Sequence, residues 1–108
     1  MSKGLYGTKR WTRLRERILR RDDYMCQVSK RYGRKIEATT VHHIFPAADY
    51  PEYRWCDWNL ISVCAVVHNS FHDRETRALT EEGMKLLRKT ARERGIKIDD
   101  PRPELPEK

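Results

Sequence analysis

The chain has 108 residues, with 23 Lys and Arg against 16 Asp and Glu and a formal net charge of +7. This length accommodates one domain. Only 38% of the residues are hydrophobic. The longest nearly apolar stretch, residues 60–67, is interrupted by Ser62, so a membrane-spanning helix is excluded.

The amino-terminal residues and the cysteines indicate the compartment. Residues 1–7 contain no apolar signal segment, so secretion is not expected. The three cysteines, Cys26, Cys56 and Cys64, cannot all pair with one another and match no small disulfide framework. We therefore expect a reducing, cytoplasmic setting.

Positive charge is concentrated in the first third of the chain. Residues 1–35 hold 12 basic and 3 acidic side chains, a net charge of +9. The other 73 residues hold 11 basic and 13 acidic side chains, a net charge of −2. A concentrated field of this sign suits a polyanion, and nucleic acid is the commonest one. A solvated helix face with surplus arginine explains the charge alone equally well.

The first predicted element is an amphipathic helix over residues 8–21. Four large apolar residues between Trp11 and Leu19 recur at helical spacing, and arginines occupy the other faces. This helix can therefore pack on a core and face a polyanion at the same time. A basic turn over residues 30–35, centred on Gly33, follows it.

Two strands and two helices are predicted after the basic turn. Residues 36–45 are rich in β-branched side chains and stop at a proline, as a strand does, and residues 58–63 form a second short strand. A helix is predicted over residues 65–79. The last helix begins at Thr80, a good N-cap, and ends at the C-terminal cap residue Gly95.

The carboxyl-terminal residues differ in composition from the rest of the chain. Residues 99–108 contain three of the five prolines and four acidic side chains, which predicts a disordered tail. Residues 1–98 are predicted to form a single domain.

All four histidines fall in two close pairs. His42 and His43 lie near the end of the first predicted strand, whereas His68 and His72 lie four residues apart on a predicted helix. Adjacent strand residues point to opposite sides, so one of the first pair can bind a metal ion while the other stays free. Two helix histidines and one strand histidine can hold a cation and leave positions open to water and substrate. The alternative, four packed histidines without a metal, is disfavoured by the ordered spacing.

The histidine pattern and its flanking residues resemble the HNH endonucleases with the ββα-metal, or His-Me finger, fold. The matching segments are residues 41–46, 58–64 and 68–72, and residues 11–22 are similar to the helix that precedes the motif in small phage and prophage HNH proteins. The resemblance implies an α+β fold with a ββα-metal core, a preceding basic helix and a C-terminal helix.

The resemblance also implies a role for each motif residue. His43 would be the general base that takes a proton from the attacking water, and Asn59 would hold the backbone that aims it. His42, His68 and His72 would bind one divalent metal ion that stabilises the phosphate transition state. Histidine ligands suit Zn, Ni, Co or Mn, whereas phage enzymes of this kind commonly use Mg or Mn, so the metal stays open.

Many family members hold a structural zinc on two CxxC knuckles, which this chain lacks. The matching stretches, residues 26–29 and 64–67, read CQVS and CAVV, so each has lost its second cysteine. Two thiolates do not complete a tetrahedral site. We therefore predict no structural zinc, with apolar packing in its place. Cys56 as a third ligand is the minor alternative.

Two functions remain open from the sequence. The first is a DNA endonuclease of low sequence specificity, encoded by a phage, associated with terminase in genome packaging and acting in the cytoplasm of the bacterial host. The second is a DNA-binding module that keeps the fold without catalysis. The intact histidine set favours the enzyme, and the oligomeric state is open. The candidate DNA-contacting residues, for which a solvated helix surface is the alternative role, are Arg10, Arg13, Arg17, Arg74 and Arg77.

Overall fold

The structure is a computed structural model and describes residues 6–98. The predicted tail, residues 99–108, lies outside the described residues. No helix among the described residues is long and apolar enough to cross a membrane. In chain order the elements are α1 (Lys9–Arg21), α2 (Gln27–Arg31), β1 (Thr40–His43), the 3₁₀ helices Pro51–Tyr53 and Asp57–Asn59, β2 (Leu60–Val63), α3 (Ala65–Ser70) and α4 (Glu81–Arg94).

The architecture is the predicted α+β arrangement. Strands β1 and β2 form a two-stranded antiparallel sheet, with Thr40 opposite Val63 and His43 opposite Leu60. The helix α3 follows β2 directly, which completes a ββα unit. The helix α1 precedes this unit and α4 follows it, as predicted.

Helix α1 has the predicted bounds because its signals are local. The side chain of Thr8 caps it by accepting a hydrogen bond from the Trp11 amide at 3.1 Å. Its buried residues pack against Val41 and Leu60 of the sheet, in a cluster that contains Trp11, Leu14, Ile18 and Leu19. The predicted apolar stripe is thus the contact face of the helix.

Helix α2 is an element that the sequence does not predict. Gln27–Arg31 forms one and a half turns of helix capped by Cys26, whose Sγ accepts from the Ser29 amide at 3.5 Å. A helix of 5 residues is too short to display a periodicity. The predicted turn at Gly33 is confirmed, since its φ of +80° lies in the left-handed region that favours glycine.

Both predicted strands were too long. The β-branched run before Thr40 does pair, but with the segment after α1: Met25 bridges Glu37, and the Ala38 amide donates to the Tyr24 carbonyl at 2.9 Å. At the start of the second predicted strand, the chain forms the 3₁₀ helix Asp57–Asn59 before β2 begins. The local residue preferences were right, and the tertiary pairing was not visible in them.

The predicted helix over residues 65–79 was also wrong in length, because α3 ends at Ser70. Beyond it, Asp73 accepts hydrogen bonds from the amides of Glu75 and Thr76, both at 2.9 Å. This side-chain turn competes with helical hydrogen bonding, as short polar residues do. His72 then pairs with Leu79 in an isolated bridge, so it lies just past the helix rather than on it.

Helix α4 has the predicted ends. Thr80 accepts from the Gly83 amide at 3.3 Å, and Gly95 closes the helix with a φ of +68°. Its apolar face joins the larger core cluster, which includes Phe45 and Phe71. Gly83 allows a close approach, since a Cβ at this position would lie 2.7 Å from the Phe71 carbonyl oxygen and 2.7 Å from Leu79 Cδ2.

We expect the substitution Gly83→Ala to destabilise the protein. The added methyl group would displace α4 from the backbone at Phe71, at a cost of about 1–3 kcal/mol. Because one of the two close contacts is with a backbone atom, which cannot move aside as a flexible side chain can, we expect this cost to exceed the gain of about 1 kcal/mol from replacing a helical glycine by alanine. Urea unfolding measures the difference, with the exposed Lys85→Ala as control. An equal or higher unfolding free energy for Gly83→Ala would contradict the prediction.

Candidate metal centre

The imidazole of His42 is buried without a hydrogen-bond partner for one of its nitrogens. Strand β1 carries His42 opposite Ile61, and the residue is 1% exposed. Among the described residues, its Nε2 has no hydrogen-bond partner. A buried polar atom left unpaired costs about 1–3 kcal/mol. A bound cation would satisfy this nitrogen, so the observation indicates a metal ligand.

Two more imidazoles converge on His42. His68 lies in the last turn of α3 and His72 lies two residues beyond its end. The centroid of the His42 ring is 5.3 Å from each of the other two, which are 5.0 Å apart. One ligand nitrogen from each residue lies within 4.8 Å of the others. The three form a cluster that can hold a single metal ion, and we call it the histidine triad.

The loop after α3 orients His72. Its Nδ1 lies 3.2 Å from the carbonyl oxygen of Arg77, which can only accept a hydrogen bond. The proton therefore resides on Nδ1, and Nε2 keeps its lone pair, as is usual for histidines that bind metals. Arg77 adopts a left-handed conformation with a φ of +68°, which is part of the turn that presents this carbonyl.

Burial favours the neutral form of two of the triad histidines, His42 and His68. Desolvation lowers the pKa of His42 well below its usual 6.5, and the charges of His68 and His72 lower it further. Burial also lowers the pKa of His68, with a contribution from His72. Metal binding requires deprotonated imidazoles, so these shifts prepare the triad for a cation at neutral pH.

His43 faces the opposite side of β1 and is held by different partners. Its ring stacks on Trp11 of α1, with centroids 5.2 Å apart and an interplanar angle of 19°. Its Nε2 lies 3.1 Å from the Arg54 carbonyl oxygen, so this nitrogen donates and Nδ1 is left unprotonated. The hydroxyl of Tyr6 is 3.5 Å from Nδ1. Burial lowers the pKa of His43, and the hydrogen bond to Arg54 offsets part of this effect.

The triad and His43 open into one cavity. The cavity has a volume of about 850 Å³ and runs along β1, with His42, His43, His68 and His72 in its wall. The side chains of Arg15 and Arg77 also line it. A cation site, the imidazole of His43 and positive charge therefore meet in one space, which suits hydrolysis of an anionic substrate.

Asn59 fixes the loop that carries the partner of His43. The residue is fully buried at the end of the 3₁₀ helix Asp57–Asn59, directly before β2. Its Nδ2 donates to the carbonyls of Phe45 and Tyr53, both at 3.1 Å, and its Oδ1 accepts from the Phe45 amide at 2.7 Å. The asparagine thus ties the end of β1 to the residue next to Arg54.

Comparison with known proteins agrees with this geometry. A crystal structure of the HNH endonuclease of the deep-sea thermophilic bacteriophage GVE2, with a manganese ion, superposes with a TM-score of 0.61. The two chains are 31% identical over 63% of this chain and 74% of the phage chain. This chain belongs to the HNH endonuclease family. No protein-family model and no curated protein matches the sequence.

The family assignment, the α+β fold and a site for one divalent metal ion are thereby confirmed for this HNH chain. The donor set fits such an ion, because the triad supplies three imidazoles and one of them has an otherwise unpaired nitrogen. Manganese, zinc and nickel all accept imidazole ligands, so the type of donor does not identify the metal.

The predicted DNA-contacting arginines of the HNH chain occupy different environments. Arg74 and Arg77 line a second cavity of about 560 Å³ beside His68 and His72. On α1, where Arg10, Arg13 and Arg17 are all exposed, Arg10 lies 4.0 Å above the Trp55 ring and Arg17 pairs with Asp57 at 2.8 Å. Arg10 and Arg17 therefore make contacts within the protein.

Three residues of the main cavity were not singled out in the sequence. Arg15 lies on α1 one turn after Trp11, and its guanidinium donates to the Thr39 carbonyl at 3.1 Å. Because Arg15 follows Trp11 by four residues, the sequence already places both side chains on the same face of α1. Tyr6 and Arg54 carried no such signal, because their places depend on how the chain folds around His43.

The positions of the missing zinc knuckles are packed with apolar side chains. Cys26 and Cys64 are buried in the larger core cluster, and Val28 and Val67 pack against it, as predicted. The Sγ of Cys26 accepts a hydrogen bond from the Ser29 hydroxyl at 3.2 Å. The absence of a structural zinc stays a prediction.

The metal-free protein should lose stability as the pH falls below about 6.5, the ordinary pKa of histidine. Because burial lowers the pKa of His42, His43 and His68, the unfolded chain binds protons more tightly than the folded chain. The stabilisation that these neutral histidines provide is complete above the pKa of histidine in the unfolded chain. It declines as the pH falls towards their lower pKa in the folded chain. Urea unfolding between about pH 7.5 and 5 measures this, above the range in which carboxylates titrate. A constant unfolding free energy would contradict it.

Loss of one triad ligand should remove metal binding without unfolding the protein. We expect His68→Ala to weaken Mn²⁺ binding by at least about 100-fold, since two imidazoles hold the ion far less tightly than three. His43→Ala, the matched control, should retain binding because His43 faces away from the triad. Calorimetric titration measures both. Normal affinity in His68→Ala, or its loss in His43→Ala, would reverse the ligand assignment.

Proposed function

We propose that the protein is a metal-dependent DNA endonuclease that hydrolyses phosphodiester bonds with His43 as the general base. The observation that carries the proposal is the common cavity, which His43 lines together with the three histidines of the triad. The hydrogen bond of its Nε2 to the Arg54 carbonyl leaves Nδ1 to accept a proton. The likeness to an HNH endonuclease with manganese supports the same reaction class.

The histidine triad and His43 have different roles in the proposed reaction. His42, His68 and His72 would hold a divalent ion, which would supply positive charge for the scissile phosphate and for the departing 3′ oxygen. These ligands are neutral imidazoles, so they do not cancel that charge. His43 is not a ligand and keeps its lone pair for a proton.

The two ring nitrogens of His43 have different roles in the same step. Nδ1 accepts the proton of the attacking water as its oxygen bonds to phosphorus, while Nε2 remains hydrogen bonded to the Arg54 carbonyl. The imidazolium that forms strengthens this bond, because a charged donor makes a stronger hydrogen bond than a neutral one. The stack on Trp11 limits rotation of the ring. The products are 5′-phosphate and 3′-hydroxyl ends.

Arginines around the cavity favour a polyanionic substrate. Arg15, Arg54 and Arg77 line it, and the chain as a whole has a net charge of +7. Such charges attract phosphates without reading base sequence, which agrees with low sequence specificity. Asn59 is assigned a positioning role, since it holds the loop that carries the Arg54 carbonyl.

The biological setting is part of the proposal. The phage origin of the similar HNH endonuclease supports a phage gene for this chain. Association with terminase during genome packaging, in the cytoplasm of the bacterial host, follows from the resemblance to small phage HNH proteins.

We expect the purified protein to relax supercoiled plasmid in Mn²⁺ or Mg²⁺. His43→Ala should cut about 10²–10⁴-fold more slowly, the usual contribution of a general base, while it keeps its metal affinity. The exposed Lys85→Ala is the control and should cut at the parent rate. If parent and His43→Ala bind DNA and neither cuts it with Mn, Mg, Zn or Ni, the protein is a DNA-binding module instead.

A further inference from the structure

A loop of concentrated positive charge remains outside the proposed mechanism. Residues 30–35, with the sequence Lys-Arg-Tyr-Gly-Arg-Lys, contain four cations and no acid, and we call them the basic loop. All six residues are exposed. None of them lines either of the two cavities beside the metal centre, so the loop is a separate surface.

The backbone of the basic loop is held at both ends. The Gly33 amide donates to the Lys30 carbonyl and the Arg34 amide donates to the Ser29 carbonyl, both at 2.9 Å. Directly after the loop, the Ile36 carbonyl accepts from the Cys26 amide at 2.7 Å. The four cations are therefore displayed on an ordered segment, the first two at the end of α2 and the other two directly after Gly33, which lowers the entropy lost when a ligand binds.

The cations of the basic loop are not neutralised within the fold. None of the four forms an ion pair with a carboxylate of residues 6–98. The charge of Arg31 contributes to a lowered pKa of Glu93, but Lys89 is the main cause and bonds that carboxylate at 2.6 Å. Like charges held together repel one another unless a polyanion binds them.

Helix α1 is different, although the sequence placed more arginines there. Arg17 pairs with Asp57, Arg20 pairs with Glu16, and Arg21 pairs with Asp22. Three of the seven cations of α1 are thus paired with carboxylates. Among residues 6–98, the basic loop differs from α1 in that all four of its cations lack such a partner.

The basic loop also exposes an aromatic ring. Tyr32 is 77% exposed and lies between the two pairs of cations. Aromatic rings interleaved with Lys and Arg are the combination that binds nucleic acids, because cations contact phosphates and rings contact bases or sugars.

We propose that the basic loop is a second DNA-binding surface, which contacts the phosphate backbone outside the segment held at the metal centre. The choice of DNA as the ligand rests on the proposed function. Backbone contacts raise affinity and fix orientation without reading sequence. The loop therefore favours long DNA over short DNA and leaves the chemical step unchanged.

The test is DNA binding measured by fluorescence anisotropy in EDTA, so that no cleavage occurs. The loop variant combines Lys30→Gln, Arg31→Gln, Arg34→Gln and Lys35→Gln. The matched control combines Lys85→Gln, Arg88→Gln, Lys89→Gln and Arg92→Gln, which removes the same charge from α4. Thermal melting establishes that both variants are folded. Duplexes of about 40 and about 10 base pairs are compared over a range of salt concentrations.

The loop variant should bind the long duplex at least about 10-fold more weakly than the parent, with a salt dependence reduced by the equivalent of about two to four phosphate contacts. The control should stay within about 3-fold of the parent, and all three proteins should bind the short duplex alike. Equal losses in both variants, or no loss in the loop variant, would overturn the proposal, as would a parent that does not bind DNA.

The outcome is separate from that of the proposed function. The binding assay contains no metal and does not depend on cleavage. If the parent binds DNA through the basic loop but cuts no plasmid, the second DNA-binding surface is supported and the endonuclease function is contradicted. If the parent cuts plasmid and the loop variant binds DNA as tightly as the parent, the endonuclease function is supported and the second DNA-binding surface is contradicted.

Discussion

The alternation of side chains along β1 is the constraint on which the site depends. His42 and Ile44 face the core cluster beneath α3 and α4, whereas Val41 and His43 face α1. Adjacent histidines therefore reach different partners: one joins the triad, and the other stacks on Trp11. Because the described sheet has only two strands, one edge of β1 is unpaired and the cavity runs along it. Both imidazoles reach that cavity from opposite faces of the strand.

The parts of the fold that were predictable from sequence are those specified by local interactions. The cap at Thr8, the apolar stripe of α1 and the glycine that ends α4 act within one or two turns, and each was found. The spacing of the histidines identified the triad, although the helix expected to carry His72 stops before it. The residue still reaches the cluster, because the turn at Asp73 and the bridge to Leu79 return it there. Tyr6 and Arg54 could not be predicted, since a hydrogen bond to His43 depends on the tertiary fold.

Charge is the property that sequence alone described least well. The excess of arginine on α1 indicated a polyanion, but part of it joins this helix to the sheet. Asp22 is buried at the end of α1 and accepts from the Ser62 amide at 3.0 Å, while Arg21 donates to the Leu60 carbonyl at 2.7 Å. A count of charges cannot separate cations used in this way from those left for a ligand. Only their partners in the folded chain do so.

The place of His72 links the triad to the last helix. The segment between them is short: His72 bridges Leu79, and the next residue, Thr80, donates from its amide to the Phe71 carbonyl at 2.9 Å and caps α4. Undocking of α4 would pull on a ligand, so any ion that binds the triad also opposes local opening of the carboxyl-terminal half. Amide protons of α4 should thus exchange more slowly with deuterium when metal is present, although α4 itself supplies no ligand.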